Sequence, residues 1–308
     1  MKPGAPCGVR GTQVFSLYIV WYLFLSGAGS GAYALAVFFG LGNRTAKRGN
    51  INEYREITRG GFYLGPILVT LGTVFLLFDL GSPAKAYTLF LSTKFTYLTF
   101  GAWTVLLFCL LSAGLALIQS AIFIKLPRLV FKTLEILSLL LALCVMIYTG
   151  VFISSMPSVP FLNTPLVTIL FVISSFSAGS AVIMLYGFFN QQRKSMLVGL
   201  KIIPRIDLVL IFFEILALVA LFLLKYFEGG VASKSVNALL LGSGCYVFWI
   251  GVVFIGIVVP LIAGFLIQKS LHMVNQAVSS SALLIGSLAL RYSLIFAGLH
   301  VATTQFTL

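Results

Sequence analysis

The stretch "LFLSGAGSGAYALAVFFG", residues 23–40, carries no charged side chain, and its reading decides the fold class. It lies inside a longer apolar run, 14–41, and a helix needs only about 20 such residues to cross a hydrocarbon core. The run is continuous rather than alternating, so a helix is expected, because in lipid a single segment satisfies its own backbone only as a helix. It is too long for a signal-peptide core and no small-residue cleavage pattern follows it, so it is expected to persist in the mature protein. Further runs lie at 61–80, 95–121, 133–155, 164–189, 206–227, 238–267 and 281–304. An all-α integral membrane protein of about eight transmembrane helices is predicted, with no soluble domain and with loops at 42–60 and 190–205. Composition agrees: 60% of residues are hydrophobic, 9% are charged and the mean hydropathy is +1.09, whereas an average soluble domain is about 25% charged.

The net charge of +13 would suit nucleic acid, but its distribution excludes that class. If the N-terminus lies on side one, the segments there carry six basic residues (Lys2, Arg10, Lys85, Lys94, Lys225, Lys234). Side two carries thirteen, among them Arg44, Lys47, Arg48, Arg55 and Arg59 in one loop and Arg193, Lys194, Lys201 and Arg205 in another. The positive-inside rule puts side two in the cytoplasm, so both termini are predicted on the outer face of a prokaryotic cell membrane.

The four cysteines (Cys7, Cys109, Cys144, Cys245) are scattered without a C-x-x-C pair. They read as packing residues, not as an iron–sulfur site or a disulfide framework. The only histidines are His272 and His300, too few for the facing pairs that intramembrane haem b requires.

A second stretch, "LFVISSFSAGSAVIMLYG" at 170–187, resembles the first: Leu-Phe, a Gly/Ser/Ala patch, a closing Gly, then a basic loop. Asp79 and Glu214 occupy the helices that follow. This reads as a weak duplication of four helices plus four, parallel because each half crosses an even number of times, with units at 1–160 and 161–308. Gly27 and Gly31 form a G-x-x-x-G that permits close helix packing or leaves space for a flat ligand.

Ionisable groups at membrane depth are costly and mark candidate functions. Here they are Asp79, Glu135, Asp207, Glu214 and Arg291. Glu135 and Asp207 lie near Lys132 and Arg205, where interfacial salt bridges are expected. Glu214 and Arg291 read as a pair joining two helices or as part of a proton path. Asp79, in "FLLFDLGSPAKAY" (75–87), either ends its helix through an Asx-type turn with Gly81 or Ser82, or pairs with Lys85, or exchanges protons at the outer interface. Tyr22 beside Trp21, and Tyr148 beside Thr149, fall on the same predicted side as Asp79. Aromatic belts account for such residues, but the coincidence of side favours a site. With no metal cluster, activated nucleophile or phosphate loop, a polar substrate is unsupported. A lipid-soluble quinone fits better, since it needs apolar walls, a few hydrogen-bonding groups and a proton acceptor.

Four segments, "YLFLSGAGSGAY" (22–33), "FDLGSPAKAY" (78–87), "YTGVFISSMPSVPFLNTPLVTILFVISSFSAGSAV" (148–182) and "LALRYSLIFAGLH" (288–300), together resemble the NrfD/PsrC family of membrane subunits of polysulfide-reductase-type complexes. The resemblance implies two four-helix bundles that exchange electrons between the membrane quinone pool, menaquinone or ubiquinone, and an iron–sulfur subunit. That subunit in turn serves a molybdopterin catalytic subunit. It also implies roles: Tyr22 as the polar quinone-facing residue of helix one, Tyr148 as the tyrosine at the quinone oxygen, and Asp79 as the acid of the D-L-G-x-P element. Two positions depart from the family pattern. Ser82 stands where a basic residue is common, leaving Lys85 to supply the charge, and Ile19 stands where some members have asparagine.

The expectation is therefore a quinone-interacting anchor. Tyr22, Trp21, Tyr148, Thr149 and Lys85 would bind quinone, Asp79 would receive protons, and Glu135, Asp207, Glu214 and Arg291 would form a relay. Loops 81–94 and 154–165, the latter stiffened by Pro157, Pro160 and Pro165, would dock the iron–sulfur protein. The alternatives are a secondary transporter or proton-conducting protein, and a purely structural anchor.

Overall fold

A computed structural model describes residues 17–45, 51–79, 96–120, 127–156, 159–189, 202–242, 245–269 and 273–305. Among these the secondary structure is helical: α1 (Leu17–Thr45), α2 (Ile51–Asp79), α3 (Tyr97–Ser120), α4 (Arg128–Ser154), α5 (Pro165–Phe189), α6 (Ile202–Glu228), α7 (Gly230–Leu241), a π-helix (Val247–Val258) continuing into α8 (Val259–Lys269), and α9 (Met273–Gln305). Eight of the spans are long and apolar enough to cross a membrane, from Leu17–Leu41 to Val274–Gly298.

Several expected boundaries differ, α6 starting at Ile202 inside the expected loop 190–205 and α9 at Met273 rather than 281. The segment 42–60 was predicted as loop, yet α2 starts at Ile51, because Asn52, Glu53 and Arg55 continue the helix beyond its apolar part. The run 238–267 was predicted as one helix but is broken. Gly242 ends α7 in an extended conformation, and the chain then resumes as a π-helix. At the end of the π-helix Pro260 has no amide to give to the carbonyl at position 256, so the ordinary helical pairing fails there. The indole of Trp249 ties the break together, its Nε1 donating to the Leu240 carbonyl at 3.1 Å.

α1 packs on α2, α4 and α5, and α3 packs on α4 and α2. α5 packs on α6 and α9, and α9 packs on the π-helix and α8. α1 and α5 thus meet at the centre, through their small-residue patches. A Cβ on Gly31 would collide with the Ser175 carbonyl, and one on Gly179 with the backbone of Gly31 and Ala32. The space beside the G-x-x-x-G is therefore filled by protein and does not hold a flat ligand.

Near the ends of α4 and α6, the connection 159–164 turns inward. Val159, Phe161 and Leu162 are buried in the largest core cluster. Lys225 fixes this turn, its Nζ donating to the carbonyls of Pro160 (2.8 Å) and Asn163 (3.4 Å) and pairing with Glu228 at 2.7 Å. Lys225, counted above among the loop cations, is itself buried.

Candidate functional site

A cavity of about 770 Å³ lies between α3 and α4, lined by Thr96, Tyr97 and Phe100 on one side and Cys144, Ile147, Tyr148 and Val151 on the other. Positions 144, 148 and 151 share one face of α4, as the helical repeat requires. The walls are mostly apolar, and Phe100 and Ile147 are half exposed on the outer faces of their helices, so the cavity opens toward the lipid. Its size falls within the roughly 300–1,000 Å³ typical of small-molecule sites. Thr96 sits at the rim and caps α3, its Oγ1 accepting from the Thr99 amide at 3.4 Å.

Of the expected quinone ligands, Tyr148 lines this cavity. Its ring is 4% exposed, lies against Phe152 with centroids 6.0 Å apart, and rests on the backbone of α3 at Gly101. Tyr22 stands behind it, fully buried, with the hydroxyl of Tyr148 as its polar neighbour. The two phenols thus form one buried polar pair at the back of the cavity.

The remaining candidates are arranged differently. Trp21 is 40% exposed and stacks on Phe75 at 6.2 Å, as a belt residue would. Thr149 is buried with its hydroxyl returned to the Met146 carbonyl at 2.7 Å, on the other side of α4 from the cavity. Asp79 closes α2, half buried, one turn beyond Phe75, which packs on Tyr18 and Trp21. Tyr22 and Asp79 therefore share one end of the molecule. Ile19 is buried in the same end of α1. Lys85, Ser82, the turn amides at Gly81 and Ser82, loop 81–94, Pro157, Cys7 and His272 lie outside the described residues, as does the side chain of His300.

The intramembrane charges separate into two groups. Glu135 is buried near the opposite end of α4, beside Tyr33, whose hydroxyl shares a 2.9 Å hydrogen bond with Ser138. It is thirteen positions from Tyr148, about 20 Å along the helix. Asp207, expected to bridge to Arg205, turns inward instead: it accepts a hydrogen bond from Ser180 while Arg205 is exposed, and its Oδ2 has no partner. The physical reason is the serine patch of α5, which offers a donor on the buried face.

Glu214 and Arg291 are brought together, but through serines. Arg291 is fully buried and donates to Ser174 Oγ (3.3 Å), Ser175 Oγ (2.9 Å), the Ser287 carbonyl (3.1 Å) and Ser287 Oγ. Glu214 contacts Ser174 and feels the guanidinium beyond it. Beside Glu214 a small cavity, lined also by Ser174, Ser177 and Ser287 and closed by Val252 and Ile257 of the π-helix, has room for about one water. The guanidinium also lies over the Phe171 ring at 5.4 Å and reaches α1, where a Cβ on Gly27 would come within 2.6 Å of Nη2.

Comparison with known proteins adds a relationship over this whole arrangement. The family described as "Polysulphide reductase, NrfD" matches residues 8–302. The protein is 30% identical to the polysulfide reductase C subunit of Wolinella succinogenes over 93% of its own length and 95% of that subunit's. It is 30% identical to protein NrfD of Escherichia coli over 91% and 93% of the two sequences. The figure is 28% for the NrfD homolog of Haemophilus influenzae, over 92% and 94%.

Proposed function

The chain belongs to the NrfD family of polysulphide reductase proteins, and from that premise we propose that it is the quinone-interacting membrane anchor of a respiratory oxidoreductase complex. The observation that carries this reading is the lipid-facing cavity between α3 and α4, walled by apolar side chains and by the phenol of Tyr148.

A quinol bound there supplies electrons and protons together on oxidation. The chain's own part is to hold and to drain. Phe100, Ile147 and Val151 exclude water, and Tyr148 offers its hydroxyl to a ring oxygen. Tyr22 backs Tyr148, phenol to phenol, and keeps it oriented. Asp79, at the same end of the bundle, receives protons and passes them outward. Electrons leave to an iron–sulfur subunit docked at this end, which serves a molybdopterin catalytic subunit. Because residues 159–164 turn their apolar side chains inward, they present a fixed outer surface to that partner. Menaquinone and ubiquinone both satisfy this chemistry.

A second reading, a proton-conducting role, draws on the buried set Asp207–Ser180 and Glu214–Ser174–Arg291 in the other half. Glu135 stands apart from that set.

Purification of the native complex separates the readings. A ferredoxin-like partner with extractable quinone supports the anchor, and a protein stable alone with quinone-independent ion flux in liposomes supports conduction. Unchanged quinol-dependent turnover in all of Asp79→Asn, Tyr22→Phe and Tyr148→Phe would overturn the proposed site.

A further inference from the structure

We infer that Gly101 is the positioning residue for Tyr148, setting how far the phenol reaches into the cavity; the inference rests on the quinone reading of that cavity. A Cβ built on Gly101 would overlap Cζ, Cε1 and Cε2 of Tyr148, the three ring carbons at the hydroxyl end. The ring can lie there only because α3 has no side chain at this point. Two other neighbours flank the ring. Tyr22, fully buried among Val20, Leu23 and the core of α5, closes the side toward α1, and Phe152 closes the side toward the end of α4. The open direction is the cavity itself. Adding a methyl at position 101 therefore drives the phenol into the space the ligand ring needs and moves its oxygen away from the oxygen it should meet. Gly114, lower on α3, faces open space and has no such duty. Gly101 does not touch the ligand; it acts through Tyr148.

The test uses the intact complex and a short-chain quinol. Gly101→Ala should raise KM by about 5- to 10-fold, the scale of one misplaced hydrogen bond, with kcat changed less than KM. In a Tyr148→Leu background the same substitution should add less than about 2-fold, because the group it displaces is gone. Gly114→Ala should leave KM unchanged. A Gly101→Ala effect that persists in full without the tyrosine ring, or an unchanged KM, overturns the inference. Should Gly101→Ala block assembly, rescue by Tyr148→Leu in the same chain supports the pairing and failure of rescue overturns it. To separate this from the underlying reading, alkylation of Cys144 is followed in a complex whose other cysteines in this subunit are Ser. Absence of protection by short-chain quinone rejects the quinone reading itself. Protection together with an unchanged KM in Gly101→Ala rejects only the role of Gly101.

Discussion

Gly31 of α1 touches the backbone of Ser175 on α5 so closely that no side chain fits between them. Similar small-residue patches, read from the sequence as copies of one another, thus turn out to be each other's packing partners at the middle of the molecule. In lipid such contact replaces the hydrophobic effect as the source of helix association, because close backbones gain dispersion contacts along their length.

Gly31→Val should therefore lower the melting temperature of the detergent-purified protein, by an overpacking penalty of about 1–3 kcal/mol. Gly114→Ala is the control, since a Cβ there meets nothing within 4 Å. It should be neutral or more stable, by up to about 1 kcal/mol through helix propensity. Equal melting of Gly31→Val and wild type would show that the α1–α5 contact does not contribute to stability.

The two tyrosines should separate in function and in stability. Tyr148→Phe removes the hydroxyl at the cavity wall, and a lost hydrogen bond of about 0.5–1.5 kcal/mol gives roughly a 2- to 10-fold fall in kcat/KM for quinol. Tyr22 does not line the cavity, and its polar neighbour is the Tyr148 hydroxyl. Tyr22→Phe should therefore have the smaller kinetic effect and should cost no more in stability than one hydrogen bond, about 0.5–1.5 kcal/mol. A Tyr22→Phe protein that is both less stable and slower than Tyr148→Phe contradicts the arrangement.

The membrane class, the eight spans and the charges worth attention were legible in the sequence, because length, hydropathy and the cost of buried charge act along the chain itself. Which face each span presents was not. Phe100 is half exposed and Phe108 fully buried on the same helix, yet both read alike, because lipid and protein core are equally apolar. For that reason the cavity, Gly101 and Cys144 are invisible in the sequence, as is the fact that Tyr148 lines the cavity while Trp21 and Thr149 do not. The inward turn of Asp207 depends on Ser180 of another helix, and the turn that buries Val159, Phe161 and Leu162 is held by Lys225 of another helix. Such long-range pairings leave no trace in spacing.

Arg291 and Glu214 should prove coupled. The planar fork of Arg291 reaches serines on two helices, which a lysine ammonium cannot do, so Arg291→Lys should melt well below wild type. Arg291→Met leaves Glu214 buried without its counter-charge, and breaking such a pair costs about 3–5 kcal/mol. The double variant Arg291→Met/Glu214→Gln should recover much of that loss. Additive losses in the cycle would mean that the two groups act independently.

The charge bias predicts orientation. A reporter fused after Lys194 should be active only in the cytoplasm, and one fused at the C-terminus only outside. Activity of the Lys194 fusion on the outer face reverses the topology and moves Asp79, Tyr22 and Tyr148 to the inner side.

Lys225 should act as a clamp on the connection between α4 and α5. Its ammonium is buried and donates to two carbonyls of that turn, whereas its ion-pair partner Glu228 is 54% exposed. Hydrogen bonds from a charged donor contribute about 1.5–3 kcal/mol, while a half-exposed ion pair contributes less than about 1 kcal/mol. Lys225→Met keeps the packing of the stem and deletes the bonds, so hydrogen exchange should rise at Leu162 and Asn163, whose amides bond to the Val159 carbonyl. Glu228→Gln should leave exchange there nearly unchanged. If this turn is the seat of the iron–sulfur partner, Lys225→Met should also weaken partner retention during purification without altering protection of Cys144 by quinone, because neither Lys225 nor the turn it holds lines the cavity. Loss of both together would show that the turn and the quinone cavity move as one unit.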